Sequence, residues 1–208
     1  MGIVDQPVHR TLHVFTDASE NGFGAAVYIR MSNGDDVDVN LVIAKTRVAP
    51  IKFLTIPRLE LQGAVVGIRL ATSISTELKL PLSKITYWTD STTVLQWIQS
   101  KRYRFQTFVA NRVSEVLEHS SCHQWRHVPG RLNPADDCSR GLPASSLTSD
   151  HPWFKGPPFL REKEDQWPDR IAVGEADPEG GEIAQFSWKQ RTVGRGIIFL
   201  LRLIPTVF

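Results

Sequence analysis

The feature that most constrains this chain is a change of hydrophobic period near residue 55. Upstream, residues 12–15 and 24–30 read as strands, and residues 37–48 alternate and continue the meander. They are separated by turn chemistry, Asp17-Ala18-Ser19-Glu20-Asn21-Gly22 and Ser32-Asn33-Gly34-Asp35. Downstream the period becomes helical. Thr55 and Pro57 suit a helix start, and Leu61, Val65, Ile68 and Ala71 recur on one face until Lys79-Leu80-Pro81. Residues 85–89 are β-branched and aromatic, and so read as a strand. Asp90-Ser91-Thr92-Thr93 caps a second helix to about Gln99. Phe108, Val109, Val113, Val116 and Leu117 give a third helix over 107–119. Residues 122–128 read as a last strand, and Asn133-Pro134-Ala135-Asp136 opens a short helix.

The order β-β-β-α-β-α-α-β-α predicts an α/β domain. Its expected sheet is mixed and five-stranded, three antiparallel strands followed by two parallel additions, with helices on both faces. The expected divisions are an N-terminal extension (1–10), the domain (11–142), a Pro-, Gly- and acid-rich linker (143–183) and a basic, apolar tail of unknown role (184–208). The tail's apolar stretch, 196–208, is too short to span a bilayer and is broken by Arg202 and Pro205. With no apolar run after a basic start and only two cysteines, the sequence predicts an intracellular protein, cytoplasmic or nuclear, with no membrane partner. Net charge is only +2, mild for a nucleic-acid binder, but eight acids crowd into 161–183 and so leave the domain more basic than that total.

Four acids, Asp17, Glu60, Asp90 and Asp136, fall at element ends. Each has an ordinary structural use: Asp17 in a hairpin turn, Glu60 and Asp136 in the first turn of a helix, Asp90 as a helix cap. Two of them directly follow strands, and strand ends are where open α/β sheets form their crevices. Four carboxylates meeting there would repel one another and need cations. Oxygen ligands without His or Cys suit two Mg2+ or Mn2+ ions, which together activate a water and stabilise a leaving oxygen at a phosphodiester. Ser19, Asn21, Ser91 and Asn133 flank the acids. With Lys101, Arg102, Arg104 and Arg131 they are the candidate substrate-binding residues. The run Lys101-Arg102-Tyr103-Arg104-Phe105 interleaves cations with aromatics, as phosphate and base binding requires. Arg126, Arg131 and Arg140 are candidates for a second basic rim. His119, Cys122, His123, His127 and Cys138 match no common zinc-finger spacing.

Several motifs resemble the ribonuclease H-like region of BEL/Pao retrotransposon polyproteins, a region also filed as Pao retrotransposon peptidase. They are Phe15-Thr16-Asp17-Ala18-Ser19, Thr55-Ile56-Pro57-Arg58-Leu59-Glu60-Leu61, Trp88-Thr89-Asp90-Ser91 and His127-Val128-Pro129-Gly130-Arg131-Leu132-Asn133-Pro134-Ala135-Asp136. Lys45-Thr46-Arg47-Val48-Ala49-Pro50 and Phe108-Val109-Ala110-Asn111-Arg112-Val113 look like the same family, and the likeness runs over about residues 11–160. It implies a ribonuclease H-like fold with Asp17, Glu60, Asp90 and Asp136 as catalytic metal ligands, with Asp137 the rival for the fourth place. The implied activity is two-metal endonucleolytic cleavage of the RNA strand of an RNA–DNA hybrid. An adjoining reverse transcriptase and integrase of a parent polyprotein are the implied partners. The alternative is a catalytically inactive nucleic-acid-binding relic. Many ribonucleases H carry a His before the last Asp, and His127 lies in that neighbourhood. No Tyr-x-Asp-Asp polymerase motif and no Asp-Thr/Ser-Gly protease motif occurs, so the residues give the peptidase name no support.

Overall fold

The structure, a computed structural model, describes residues 8–34, 36–100, 105–148 and 151–171. Five strands form one sheet: β1 (His9–Ala18), β2 (Gly22–Asn33), β3 (Asp36–Val48), β4 (Ile85–Thr89) and β5 (Trp125–His127). Their order is β3-β2-β1-β4-β5. The first three are hairpin neighbours and run antiparallel, whereas β4 lies parallel to β1 and β5 parallel to β4. The helices are α1 (Ile56–Glu77), α2 (Thr92–Gln99), α3 (Thr107–His119), α4 (Ala135–Arg140) and the single turn α5 (Pro152–Lys155). This is the mixed five-stranded α/β architecture that the change of period predicts.

One sheet face is built from Leu12, Val14, Ala25 and Val27. It is covered by Leu61, Ala64 and Ile68 of α1 and by Val113 and Val116 of α3. The approach of α1 to β1 depends on small residues. A Cβ at Gly63 would stand 2.8 Å from the Asp17 carbonyl oxygen, and one at Gly67 would stand 2.7 Å from Thr16 Cγ2. Larger residues would push the helix off the strand, and Glu60 with it.

The second face carries Phe15, Ala26, Tyr28, Trp88 and Val128. Phe15 and Trp88 lie nearly parallel, with ring centroids 5.8 Å apart. Covered on both faces, β1 is buried continuously from Leu12 to Ala18, and that buried run includes His13 and Asp17 as well as apolar residues.

The structure differs from the sequence reading in what covers this second face. The region read as a linker is packed against the sheet through 151–171, where Phe159 and Leu160 are buried and Trp153 and Trp167 lie against the same cluster. Tyr28 Oη donates to the Trp153 carbonyl at 2.8 Å, and Arg30 Nε donates to the Leu160 carbonyl at 2.8 Å. Pro and Gly here shape a strap of short turns whose apolar residues follow no regular period. Arg126, read as a rim cation, is instead buried beneath this strap. It donates to Glu164 at 2.8 Å and to the Pro168 carbonyl at 3.0 Å, and it lies over the rings of Trp88 and Trp167. Alternation along β5 explains the difference: Trp125 faces the α1 side, so Arg126 must face the strap. Residues 172–208, with the apolar tail, lie outside the described residues. Among the described residues no helix is long and apolar enough to cross a membrane.

Candidate active site

The register of the sheet sets the positions of two acids. Thr16 of β1 is paired with Thr89 of β4, so Asp17 and Asp90 are the next residues along two neighbouring parallel strands. Adjacent strands lie about 4.8 Å apart. Asp17 is still within β1, facing Gly24 of β2, rather than in the turn that follows. It is 5% exposed, and Ser139 of α4 donates a short hydrogen bond to its Oδ2.

Asp90 does not cap α2. Ser91 holds that position and accepts from the Val94 amide at 3.2 Å. Its Oγ also donates to Glu60 Oε2 at 2.5 Å, which ties α1 to the end of β4. Glu60 is the fifth residue of α1 and so lies in its second turn, beyond the first-turn position where a helix dipole would account for a carboxylate. Removing these two local explanations leaves both acids facing one corner of the sheet.

Asn133 joins the remaining parts. It is buried, and its Nδ2 donates to the Thr16 carbonyl at 3.1 Å and reaches Asp90 Oδ1 at 3.5 Å. Its Oδ1 accepts from the Ala135 amide at 3.1 Å, which starts α4. This sets α4, and Asp136 in its first turn, against the ends of β1 and β4. Gly130 packs close to the same carboxylate: a Cβ there would meet Asp90 Oδ2 at 3.1 Å.

The electrostatics match this convergence. Burial pushes the Asp17 carboxyl up to about 7; Asp90 and Asp136 push it the same way, while the Ser139 hydroxyl and the Ala18 amide oppose them. Asp90 is raised by burial and by Asp136, against the Asn133 amide and His127. Glu60 is raised by burial and by Asp90, against Ser91. Asp137, the rival to Asp136, is raised by burial and faces His151 and Asp136. Asp136 is partly exposed and accepts from Arg140 Nε at 2.5 Å. The four acids are thus linked through their mutual repulsion, but among the described residues no group of three or more His, Cys, Asp or Glu stands in an arrangement that would hold a metal ion. Their chemistry, oxygen ligands with more negative charge than Arg140 offsets, fits Mg2+ or Mn2+.

The other sequence candidates separate by role. Ser19 donates to the Ser139 carbonyl at 2.7 Å and accepts from the Asn21 amide at 3.2 Å, so it shapes the β1–β2 turn. Asn21 is exposed there, and its carbonyl accepts from Ala49 at 2.9 Å. Ser91 and Asn133 hold the acids. Arg131 is exposed on the short turn Gly130–Leu132. Lys101, Arg102 and Arg104 lie outside the described residues. Sequence reasoning missed Ser139. It sits three residues after Asp136, a helical spacing that puts both on one face, but a lone Ser in a short helix is no signal by itself. Cys138 is buried and Cys122 exposed, and both are free thiols.

A five-stranded mixed sheet of this order, helices on both faces and acids at the ends of β1 and β4, defines a ribonuclease H-like α/β domain. Residues 4–91 match the family described as the Pao retrotransposon-like RNaseH-like domain, a span that takes in β1 through β4 with Asp17, Glu60 and Asp90. No curated protein matches the sequence.

Solved structures with some likeness include three ribonucleases H. The N-terminal RNase H domain of a Mycobacterium tuberculosis protein, solved as a fusion with maltose binding protein, is 15% identical, with a TM-score of 0.41 over 64% of this chain and 92% of that one. RNase H1 from the archaeon Halobacterium salinarum is 16% identical, with a TM-score of 0.38 over 63% of this chain and 94% of that one. LC11-RNase H1, solved in complex with an RNA/DNA hybrid, is 12% identical, with a TM-score of 0.43 over 67% of this chain and all of that one.

Proposed function

We propose that this chain is a metal-dependent endoribonuclease that cuts the RNA strand of an RNA–DNA hybrid. The observation that carries the reading is the pair Asp17 and Asp90: a buried and a half-buried carboxylate on adjacent parallel strand ends, both raised by Asp136, with Glu60 close enough to Asp90 to be raised by it. Neither belongs to a local cap or turn, and a fold that keeps such a cluster has a use for its charge.

Asp17, Glu60, Asp90 and Asp136 are the residues that would hold two divalent cations. When bound, such ions supply an activated water and charge stabilisation for the leaving oxygen. The chain's own residues prepare that site. Ser139 orients Asp17, Ser91 orients Glu60, and Asn133 fixes Asp90 relative to β1. Arg140 pairs with Asp136 Oδ1 and so competes with a cation for the charge of that carboxylate. The 2′-hydroxyls of the RNA strand are what distinguishes it from DNA across the shallow groove. The match to a retrotransposon-like domain supports an adjoining reverse transcriptase and integrase as proposed partners.

The test is cleavage of an end-labelled RNA–DNA hybrid in Mg2+, beside RNA–RNA and DNA–DNA duplexes of the same sequence. Only the RNA of the hybrid should be cut, and Asp90→Asn should slow cutting by about a hundredfold or more. Undiminished cutting by Asp90→Asn refutes the mechanism. Tight hybrid binding with no cutting in Mg2+ or Mn2+ identifies instead a non-catalytic nucleic-acid-binding module.

A further inference from the structure

The end of β3 and the loop joining it to α1 present the most exposed apolar side chains among the described residues. Ile51 is 100% exposed, Phe53 75% and Val48 63%. This is not a loosely attached segment. Ala49 and Leu54 pack against the core, and the Ala49 amide donates to the Asn21 carbonyl at 2.9 Å. The loop therefore tucks in at Ala49 and Leu54 and turns Ile51 and Phe53 outward between them. Two apolar side chains held outward on an anchored loop are candidates for contact with a ligand.

Charge and position indicate which ligand. Lys52 lies between the two apolar residues, and Lys45 and Arg47 precede them at the end of β3. All three are exposed, and among the described residues no ion pair or hydrogen bond engages their side chains. Thr46 pairs with Gly24, which pairs with Asp17, so this end of β3 lies two strands from the candidate site. At about 4.8 Å per strand that separation is about 10 Å. Asn21, which anchors the loop, follows Asp17 by four residues, and the loop leads into the helix that carries Glu60. Free cations interleaved with an exposed aromatic are the pattern that grips phosphates and stacks bases. Bases within a duplex already stack on one another. An aromatic on the rim can take only an unpaired base.

We propose, resting on the nucleic-acid reading above, that this loop binds unpaired nucleotides flanking the hybrid. Phe53 and Ile51 provide the stacking platform, and Lys45, Arg47 and Lys52 hold the phosphates. Its effect is to favour hybrids that continue into a single strand over blunt ones.

The test is fluorescence anisotropy on the full chain with a labelled ten-nucleotide DNA single strand, alongside cleavage of a blunt hybrid. Phe53→Ala should weaken single-strand binding about tenfold, while Phe53→Trp preserves it. Lys52→Ala should lower the salt dependence of binding by about one phosphate contact. Cutting of the blunt hybrid should match wild type in both Phe53 variants, and the exposed position makes misfolding an easy control by circular dichroism. Single-strand binding that ignores Phe53→Ala overturns the proposal, and so does no measurable single-strand binding. A change in sedimentation with Phe53→Ala and none in DNA binding overturns it in favour of a protein-docking surface. Failure of the nuclease reading looks different: the hybrid stays uncut whatever stands at position 53, while single-strand binding still depends on it.

Discussion

Replacing Asp17 with Asn separates the cost of the acid cluster from its use. In the folded protein Asp17 holds its proton up to about pH 7, against an ordinary carboxyl value of 3.8, because burial and then Asp90 and Asp136 disfavour its charge. The unfolded chain releases that proton near 3.8. Between these pH values the folded state binds more protons, so the contribution of Asp17 to stability falls as pH rises through that window. About three pKa units correspond to about 4 kcal/mol as a ceiling. Relaxation around the carboxyl and the effective dielectric of a protein interior reduce this to about 1–2 kcal/mol. Without metal at pH 8, Asp17→Asn should therefore be more stable than wild type by about that amount in urea unfolding. The amide oxygen still accepts from Ser139, so packing is retained. At pH 4 the difference should nearly vanish, because wild-type Asp17 is then protonated. Mg2+ at about ten times its dissociation constant should stabilise wild type by about 1.4 kcal/mol and the variant much less. A variant that is less stable at every pH would mean that the carboxylate is a structural partner of Ser139, and the reasoning would fail.

Two further outcomes follow from the same geometry. Removing Arg140 frees Asp136 and deletes a competing cation, so Arg140→Ala should tighten Mn2+ binding about two- to fivefold in calorimetric titration; weaker binding would contradict the competition. Ending the chain at residue 142 would strip Phe159, Leu160 and Trp167 from the second sheet face. At about 1.5–3 kcal/mol per large side chain the loss approaches the stability of a small domain, so the shortened chain should bind the dye ANS or precipitate. A shortened chain as stable as the full one would show that the strap is dispensable.

The fold was legible where local chemistry and period agree. The apolar stripe of 107–119 coincides with α3, and the turn residues 32–35 mark the β2–β3 hairpin. The acids were legible because Asp17 and Asp90 end strands that the sequence shows to be strands. What could not be read were the partners supplied by tertiary contact. Ser91 rather than Asp90 caps α2, while Asp90 lies against Asn133, forty-three residues away. Arg126 is buried because a strap without regular period covers it, and irregular apolar spacing does not announce a packed element. The same composition, rich in Pro and acid, suits both a free linker and a turn-built strap. The buried pair Phe159 and Leu160, with Trp153 and Trp167 against the same cluster, separates them.

The most direct test is a crystal grown in Mn2+ and measured at the manganese absorption edge. Two anomalous peaks bounded by the carboxylates of Asp17, Glu60, Asp90 and Asp136, with the Arg140 side chain displaced from Asp136, are the expected result. No peak at that corner at saturating Mn2+, or ions bound elsewhere while the Arg140–Asp136 pair stays closed, would contradict it.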